Sequence, residues 1–73
     1  MDTININVTI NLYSIRMQKR LSLNELSRIS GVSKSHISDI ENGKRLPGVY
    51  VLCLLAVALD TSLGELVTVD ILN

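Results

Sequence analysis

The chain has 73 residues, 47% of them apolar, and its seven Lys and Arg balance seven Asp and Glu, so the net charge is zero. That length gives one small domain whose aliphatic content can close a helical core, and it excludes a catalytic cleft between two lobes. A neutral total argues against a uniformly basic nucleic-acid binder, and the single cysteine, Cys53, excludes an internal disulfide.

In chain order, the opening MDTININ has neither the basic flank nor the continuous apolar core of a signal peptide, so export is not expected. Residues 3–10 alternate, with Ile4, Ile6, Val8 and Ile10 on one face and Thr3, Asn5, Asn7 and Thr9 on the other. Period two with β-branched side chains on one face predicts a half-buried strand. A lone strand needs an edge to add to, and without one the same residues make a mobile tail. The far end alternates as well, with Val67, Val69 and Ile71 interleaved by Thr68 and Asp70, so the termini can pair within one chain or between two.

A first helix is expected from Asn11, its cap, to Arg20, with Leu12, Ile15 and the stem of Lys19 on its inner edge and Arg16 pointing toward the middle of the fold. Ser22 and Glu25 then form an S-x-x-E capping box, in which each side chain satisfies a backbone donor left open at a helix start. Leu23 and Leu26 supply the apolar face of this second helix, Gly31 ends it in a left-handed conformation, and Val32 re-enters the core. Ser33 caps a third helix whose Ile37 and Ile40 face inward, leaving Ser35, Ser38, Asp39 and Asn42 on the opposite side with Lys34 at its edge. Two short helices joined in this way fit a helix-turn-helix that offers a polar face to the DNA major groove. They fit equally a helical hairpin with a solvated face, and the pattern alone leaves both readings open.

The charge distribution bears on that choice. All seven bases (Arg16, Lys19, Arg20, Arg28, Lys34, Lys44, Arg45) lie between residues 16 and 45 with only three acids, a net +4, so the positive part of the chain coincides with the helical pair. Asn42 and Gly43 end the third helix, and Lys44 to Pro47 form an exposed basic turn. A fourth helix follows over Gly48 to Leu59, and Ser62 with Glu65 caps a short fifth over 62–66. The apolar run of Val49 to Leu59 is about half of the roughly 20 residues a membrane span requires, so a buried helix is expected and no membrane partner. Cys53 sits in that run as an inert core residue, consistent with a reducing cytoplasm. With only His36 and Cys53 as soft ligands, no metal cluster assembles and no cofactor is implied. Paired carboxylates, a nucleophile with its base and a phosphate loop are all missing, so an enzyme is not expected, nor a small-molecule substrate.

Residues 12–67 resemble the phage repressor and Cro type of helix-turn-helix, the Xre family. The likeness is carried by Arg16, the L-S-x-x-E-L run from Leu21 to Leu26, Gly31-Val32-Ser33, Ile37, the I-E-N-G-K-R-L-P run from Ile40 to Pro47, Ala56, Leu59, and the ending from Ser62 to Leu66. It implies that Ser33, Lys34, Ser35, Ser38 and Asp39 reach bases: Lys34 suits guanine O6 or N7, Ser35 several edges, and Asp39 the N4 amine of cytosine. It implies that Asn42, Lys44, Arg45 and the backbone amide of Leu23 take phosphates. Arg16 and Glu41 match a structural ion pair that orients the third helix rather than touching DNA.

Four positions depart from the family's pattern. Leu23 stands where a glutamine often contacts phosphate, leaving only its amide for that role. Asp39 brings a negative charge toward the groove. Ser27 replaces the usual alanine. His36 replaces threonine or serine and reads as a half-exposed packing residue, a phosphate contact or a pH-sensitive switch.

Helix four has no charge between Gly48 and Leu59, where the family commonly has charged outward positions. If Val49, Leu52, Cys53, Ala56 and Leu59 face the core, then Tyr50, Leu54, Val57 and Val51 face out, and a helix apolar all round is covered on both sides. A homodimer is expected, with Ile4, Ile6, Val8, Tyr50, Leu54, Val57, Val69 and Ile71 in its interface. The sequence thus leads to a mainly α fold with five helices and short terminal strands: a strand or arm over 1–10, a helix-turn-helix domain over 11–67, and a strand or tail over 68–73. Its expected function is that of a sequence-specific DNA-binding transcriptional regulator, a dimeric repressor reading a double-stranded operator with helix 33–42, in the cytoplasm and associated with the nucleoid. An antitoxin or restriction-modification controller of the same fold is the alternative within that class, and a protein-interaction module that has lost DNA binding is the alternative outside it.

Overall fold

The computed structural model describes residues 3–73, so residues 1–2 of the expected arm lie outside the described residues. The chain runs β1 (Ile6–Ile10), α1 (Leu12–Gln18), α2 (Leu23–Ser30), α3 (Lys34–Glu41), α4 (Val49–Ala58), α5 (Leu63–Leu66) and β2 (Val67–Ile71). The mainly α fold with five helices and terminal strands is thus present. Leu12, Ile15, Leu26, Val32, Ile37, Ile40, Leu55, Ala56, Leu59 and Leu66 form one buried cluster to which every helix contributes. Burying each large aliphatic side chain contributes about 1.5–3 kcal/mol, and it is this shared cluster rather than intrinsic helix propensity that holds such short helices.

The terminal strands pair with each other in one chain. β1 and β2 run antiparallel in the register Ile6 to Ile71, Val8 to Val69 and Ile10 to Val67, so the aliphatic residues face one another along a two-stranded ribbon. Ile10 and Val67, at its root, pack against the helical core, while Ile4, Ile6, Val69 and Ile71 are exposed further out. The ribbon gives the molecule its long axis, 46 Å against 20 and 19 Å across. The strand is shorter than the expected 3–10, although its ladder continues where Leu72 N donates to Asn5 O at 2.8 Å.

Three expectations need correction. Helix α1 stops at Gln18 rather than Arg20, because Arg20 takes a left-handed conformation with φ 58° and Leu21 N donates to Arg16 O at 3.2 Å, the signature of a Schellman ending. Lys19 is correspondingly exposed and contributes no inner stem. In α4 the phase differs from the expected one: Val49 is 72% exposed and Cys53 is only half-buried, lining an outer groove, whereas Leu55 is fully buried and Val51 packs against the core. Finally, the second capping box is half made: Ser62 Oγ accepts from Glu65 N at 3.1 Å, but the Glu65 carboxylate accepts from the Ser62 hydroxyl rather than from its backbone N–H.

Candidate nucleic-acid interface

Helix α2 is fixed at both ends. The Ser22 and Glu25 box is complete, with Glu25 N donating to Ser22 Oγ and Ser22 N to Glu25 Oε1, both at 3.0 Å. These backbone and hydroxyl donors hold the Glu25 carboxyl below its usual range. At the other end Gly31 adopts φ 77°, which a side chain would strain. Ser27 Oγ donates to Val32 O at 2.7 Å and Val32 N donates to Ser30 Oγ at 3.1 Å, so the serine that replaces alanine is one of the hydroxyls pinning the turn.

Helix α3 is held against this frame by Val32, Ile37 and Ile40. Ser33 caps it, accepting from His36 N at 3.2 Å, and its hydroxyl lies 3.5 Å from Ser35 Oγ. Ser33, Lys34 and Ser35 are exposed at its start, and Ser38, Asp39 and His36 are half-buried beside them. Asn42 Nδ2 donates to Ser38 Oγ at 3.4 Å, so the residue expected at a phosphate and one expected at a base touch each other. Beyond it Gly43 takes φ 73°, and Lys44 N donates to Asp39 O at 2.9 Å in a second Schellman ending. Lys44 and Arg45 follow in the exposed loop. Leu23, half-buried, opens α2, where the first amides of a helix have no intrahelical acceptor.

Arg16 connects the parts. Its Nε and Nη2 donate to the two Glu41 carboxylate oxygens at 2.7 and 3.0 Å, and its Nη1 donates to Leu21 O at 2.9 Å. The Tyr13 ring, 5.4 Å from the guanidinium carbon, covers the remaining face. The hydrogen bond to Glu41 raises the Arg16 pKa further above an already high value, so the charge is permanent.

The exposed Ser33, Lys34 and Ser35 at the start of α3, and the two exposed cations Lys44 and Arg45 just beyond its end, present donors and positive charge to solvent. The family model described as Helix-turn-helix (HTH_3) matches residues 12–66. The chain belongs to that family. HTH_3 proteins of this phage-repressor (Xre) type are DNA-binding transcriptional regulators rather than enzymes.

Among HTH_3 relatives, the ImmF control region 10 kDa protein of Bacillus phage phi105 is 34% identical over 56 residues, covering 77% of this chain and 62% of the phage protein. This chain thus spans less than two thirds of that relative. The HTH-type transcriptional regulator y4dJ of Sinorhizobium fredii is 41% identical over 58 residues, covering 80% of this chain and 75% of its own length. The control protein C.SmaI of Serratia marcescens is 36% identical over 58 residues, 80% and 69% of the two chains. Among solved structures, the restriction-modification controller C.AhdI of Aeromonas hydrophila superposes with a TM-score of 0.74 at 34% identity, covering 77% of this chain and 85% of that one. The transcriptional regulator VanUg, 18% identical with a TM-score of 0.69, covers 94% of this chain and shares the fold.

A second surface has no α3 residue in its lining. Ile29 of α2 with Tyr50, Leu54 and Val57 of α4 line an apolar groove of about 290 Å³. Tyr50 and Val57 are 77% and 81% exposed, as the sequence led one to expect, but Ile29 was missed. Its position three residues after Leu26 gave it the spacing of a core residue, and only the fold shows that it falls on the rim.

Proposed function

We propose that this chain is a sequence-specific DNA-binding transcriptional regulator, a dimeric repressor in the cytoplasm that works at the nucleoid. The observation that carries the reading is the exposed start of α3 held on a fixed α2–α3 turn, with the cationic loop Lys44–Arg45 immediately beyond its end. Ser33, Lys34, Ser35, Ser38 and Asp39 face the base edges, while Asn42, Lys44, Arg45 and the Leu23 amide hold phosphates. Arg16 and Glu41 set the angle of the helix.

The dimer follows from surface that a monomer leaves open. Tyr50, Leu54 and Val57 of α4, together with Ile4, Ile6, Val8, Val69 and Ile71 of the ribbon, form apolar faces that a second copy covers. The two reading helices then meet half-sites about 34–36 Å apart, one turn of duplex. A restriction-modification controller is the second reading, favoured by the likeness to C.SmaI and C.AhdI.

Selection of bound sites from fragmented genomic DNA tests the proposal. The expected outcome is recovery of a short site with two-fold symmetry and half-site centres about ten base pairs apart. Recovery of unrelated fragments without a common site contradicts it. A site placed before the genes of a restriction-modification system favours the second reading.

A further inference from the structure

We infer that the outer edge of β1 pairs with β1 of a second copy of this chain, antiparallel about a two-fold axis through Val8, so that two ribbons join into one four-stranded sheet. The inference rests on the proposal that copies associate, and names the strand through which they do so.

The hydrogen-bond directions single out the edge. Asn11 N donates to Leu66 O at 2.7 Å and Leu72 N to Asn5 O at 2.8 Å, so the odd-numbered residues of this strand turn their main-chain groups toward β2. The pairs Ile6 with Ile71, Val8 with Val69 and Ile10 with Val67 are therefore the non-hydrogen-bonded ones, whose amides and carbonyls point away from the partner strand. Along this outer side runs a groove of about 280 Å³, walled by the four consecutive residues Asn7–Ile10 and, opposite them, by Ile40 and Glu41 at the end of α3 and Gly43, Arg45 and Leu46 of the α3–α4 loop. No β2 residue lines it, so it follows the edge of the strand rather than lying over either face of the ribbon.

Edge strands are ordinarily guarded by a lysine, a proline, a bulge or a covering segment. β1, I-N-V-T-I, has no charge and no proline, and it keeps an unbroken ladder. Its apolar positions read the same in both directions, Ile6-Val8-Ile10. With Val8 on the axis, each Ile6 lies opposite an Ile10, every outward amide and carbonyl finds a partner, and no charged side chain meets its own copy. β2 is the poorer choice because Asp70 would bring two carboxylates into the joined sheet.

The exchange also covers apolar surface. Ile10 and Val67 pack against the core, and by period two Ile4, Ile6, Val8, Val69 and Ile71 share their face, the one turned toward the helical body. Away from the root this face is open to solvent, with Ile4 83% and Ile6 46% exposed. In the antiparallel pair the distal half of each ribbon crosses the root of the other, which brings Ile4 and Ile6 over the exposed Leu46 of that copy.

Backbone amide hydrogen exchange on the full chain over a concentration series tests this, with sedimentation on the same samples. The Ile6 and Val8 amides are expected to gain at least tenfold protection as the chain associates, while Asn7 and Thr9, bonded to β2, report that the ribbon is intact. Val8→Lys, which sets two ammonium groups face to face on the axis, is expected to abolish that gain. The wild-type series decides the matter alone if the variant loosens the ribbon. Free exchange of Ile6 and Val8 in samples that sediment as associated chain overturns the strand pairing and leaves the dimeric reading standing. A chain that sediments as a monomer throughout overturns both.

Discussion

Arg16 and Glu41 form a bidentate pair whose side chains are only 8% and 7% exposed, and it ties α1 to the last turn of α3. Two charges so far out of water are tolerable because the Leu21 carbonyl and the Tyr13 ring satisfy what the carboxylate does not. The pair is a positioning device, and its loss is felt first as stability.

Glu41→Ala leaves a buried guanidinium without its partner. The expected cost is roughly 3–5 kcal/mol. For a domain of this size that lowers the melting temperature by more than about 10 °C. DNA binding should fall only as the folded fraction falls. A calorimetric melting curve equal to that of the parent would show that the pair contributes nothing.

The phase of α4 gives a second test. Leu55 is fully buried and Val49 is 72% exposed. Leu55→Ala should cost about 2–5 kcal/mol, from the lost transfer energy and the cavity left behind. Val49→Ala should stay within about 0.5 kcal/mol of the parent. Urea denaturation of the two variants measures both, and the reverse order would mean that the helix is rotated.

Acid should weaken the start of α2. The Ser22 backbone and hydroxyl donors hold the Glu25 carboxyl below its ordinary value, so the unfolded chain takes up that proton first as pH falls. The stabilisation is fully present above the unfolded carboxylate value of about 4.3 and is lost as pH drops through the lower folded one. Glu25→Gln keeps an acceptor for Ser22 N but not the charge. The parent should melt above this variant at neutral pH, with the gap closing below about pH 4. A gap of equal size at pH 3 and pH 7 would contradict the assignment.

The proposed association through α4 has its own variant. Leu54→Glu places a carboxylate in the apolar groove with Ile29, Tyr50 and Val57, a burial that costs far more than it returns unless the charge is paired. Sedimentation should show a weakened dimer with the melting temperature of the dissociated chain little changed, because Leu54 is only half-buried in one copy. A variant that dimerises as tightly as the parent would remove α4 from the interface.

The parts of the fold legible in the sequence are those with a local chemical cause. Ser22 and Glu25 announce the start of α2, and Gly31 and Gly43 announce two left-handed turns that only glycine takes without strain. The end of α1 was hidden because Arg20 adopts the same conformation, at φ 58°, with no glycine to mark it; Asp60, at φ 53°, ends α4 in the same way. The α4 run V-Y-V-L-C-L-L-A-V-A is apolar on every side, so periodicity carried no phase and could not separate Val49 from Leu55. Period two gave both strands and their apolar faces. It could not say that they pair in one chain, which depends on α5 returning β2 to the start of α1, where Asn11 N meets Leu66 O at 2.7 Å. The exposed start of α3, Ser33 to Ser35, was legible from that helix alone, whereas the Ile29 groove needed two helices in place.

The contacts proposed for Lys34 and Lys44, a base and a phosphate, differ in kind, and so should their variants. Lys44→Ala removes a phosphate contact and should weaken all duplexes alike, reducing the dependence on salt. Lys34→Ala removes a base contact and should lose discrimination at one base pair, at about 1–3 kcal/mol. Competition between matched and mismatched duplexes separates the two, and a uniform loss for both variants would return Lys34 to the phosphates.

Titration of a duplex carrying the selected site, across a series of salt concentrations, tests the central claim most directly. With Asn42, Lys44 and Arg45 from each copy on phosphates, the logarithm of the affinity should fall with the logarithm of salt at about 0.9 per phosphate contact, giving a steep slope for a dimer. A protein that is folded at low ionic strength yet gives no salt-sensitive shift of any duplex would contradict the account and leave an interaction module that keeps the fold without reading DNA.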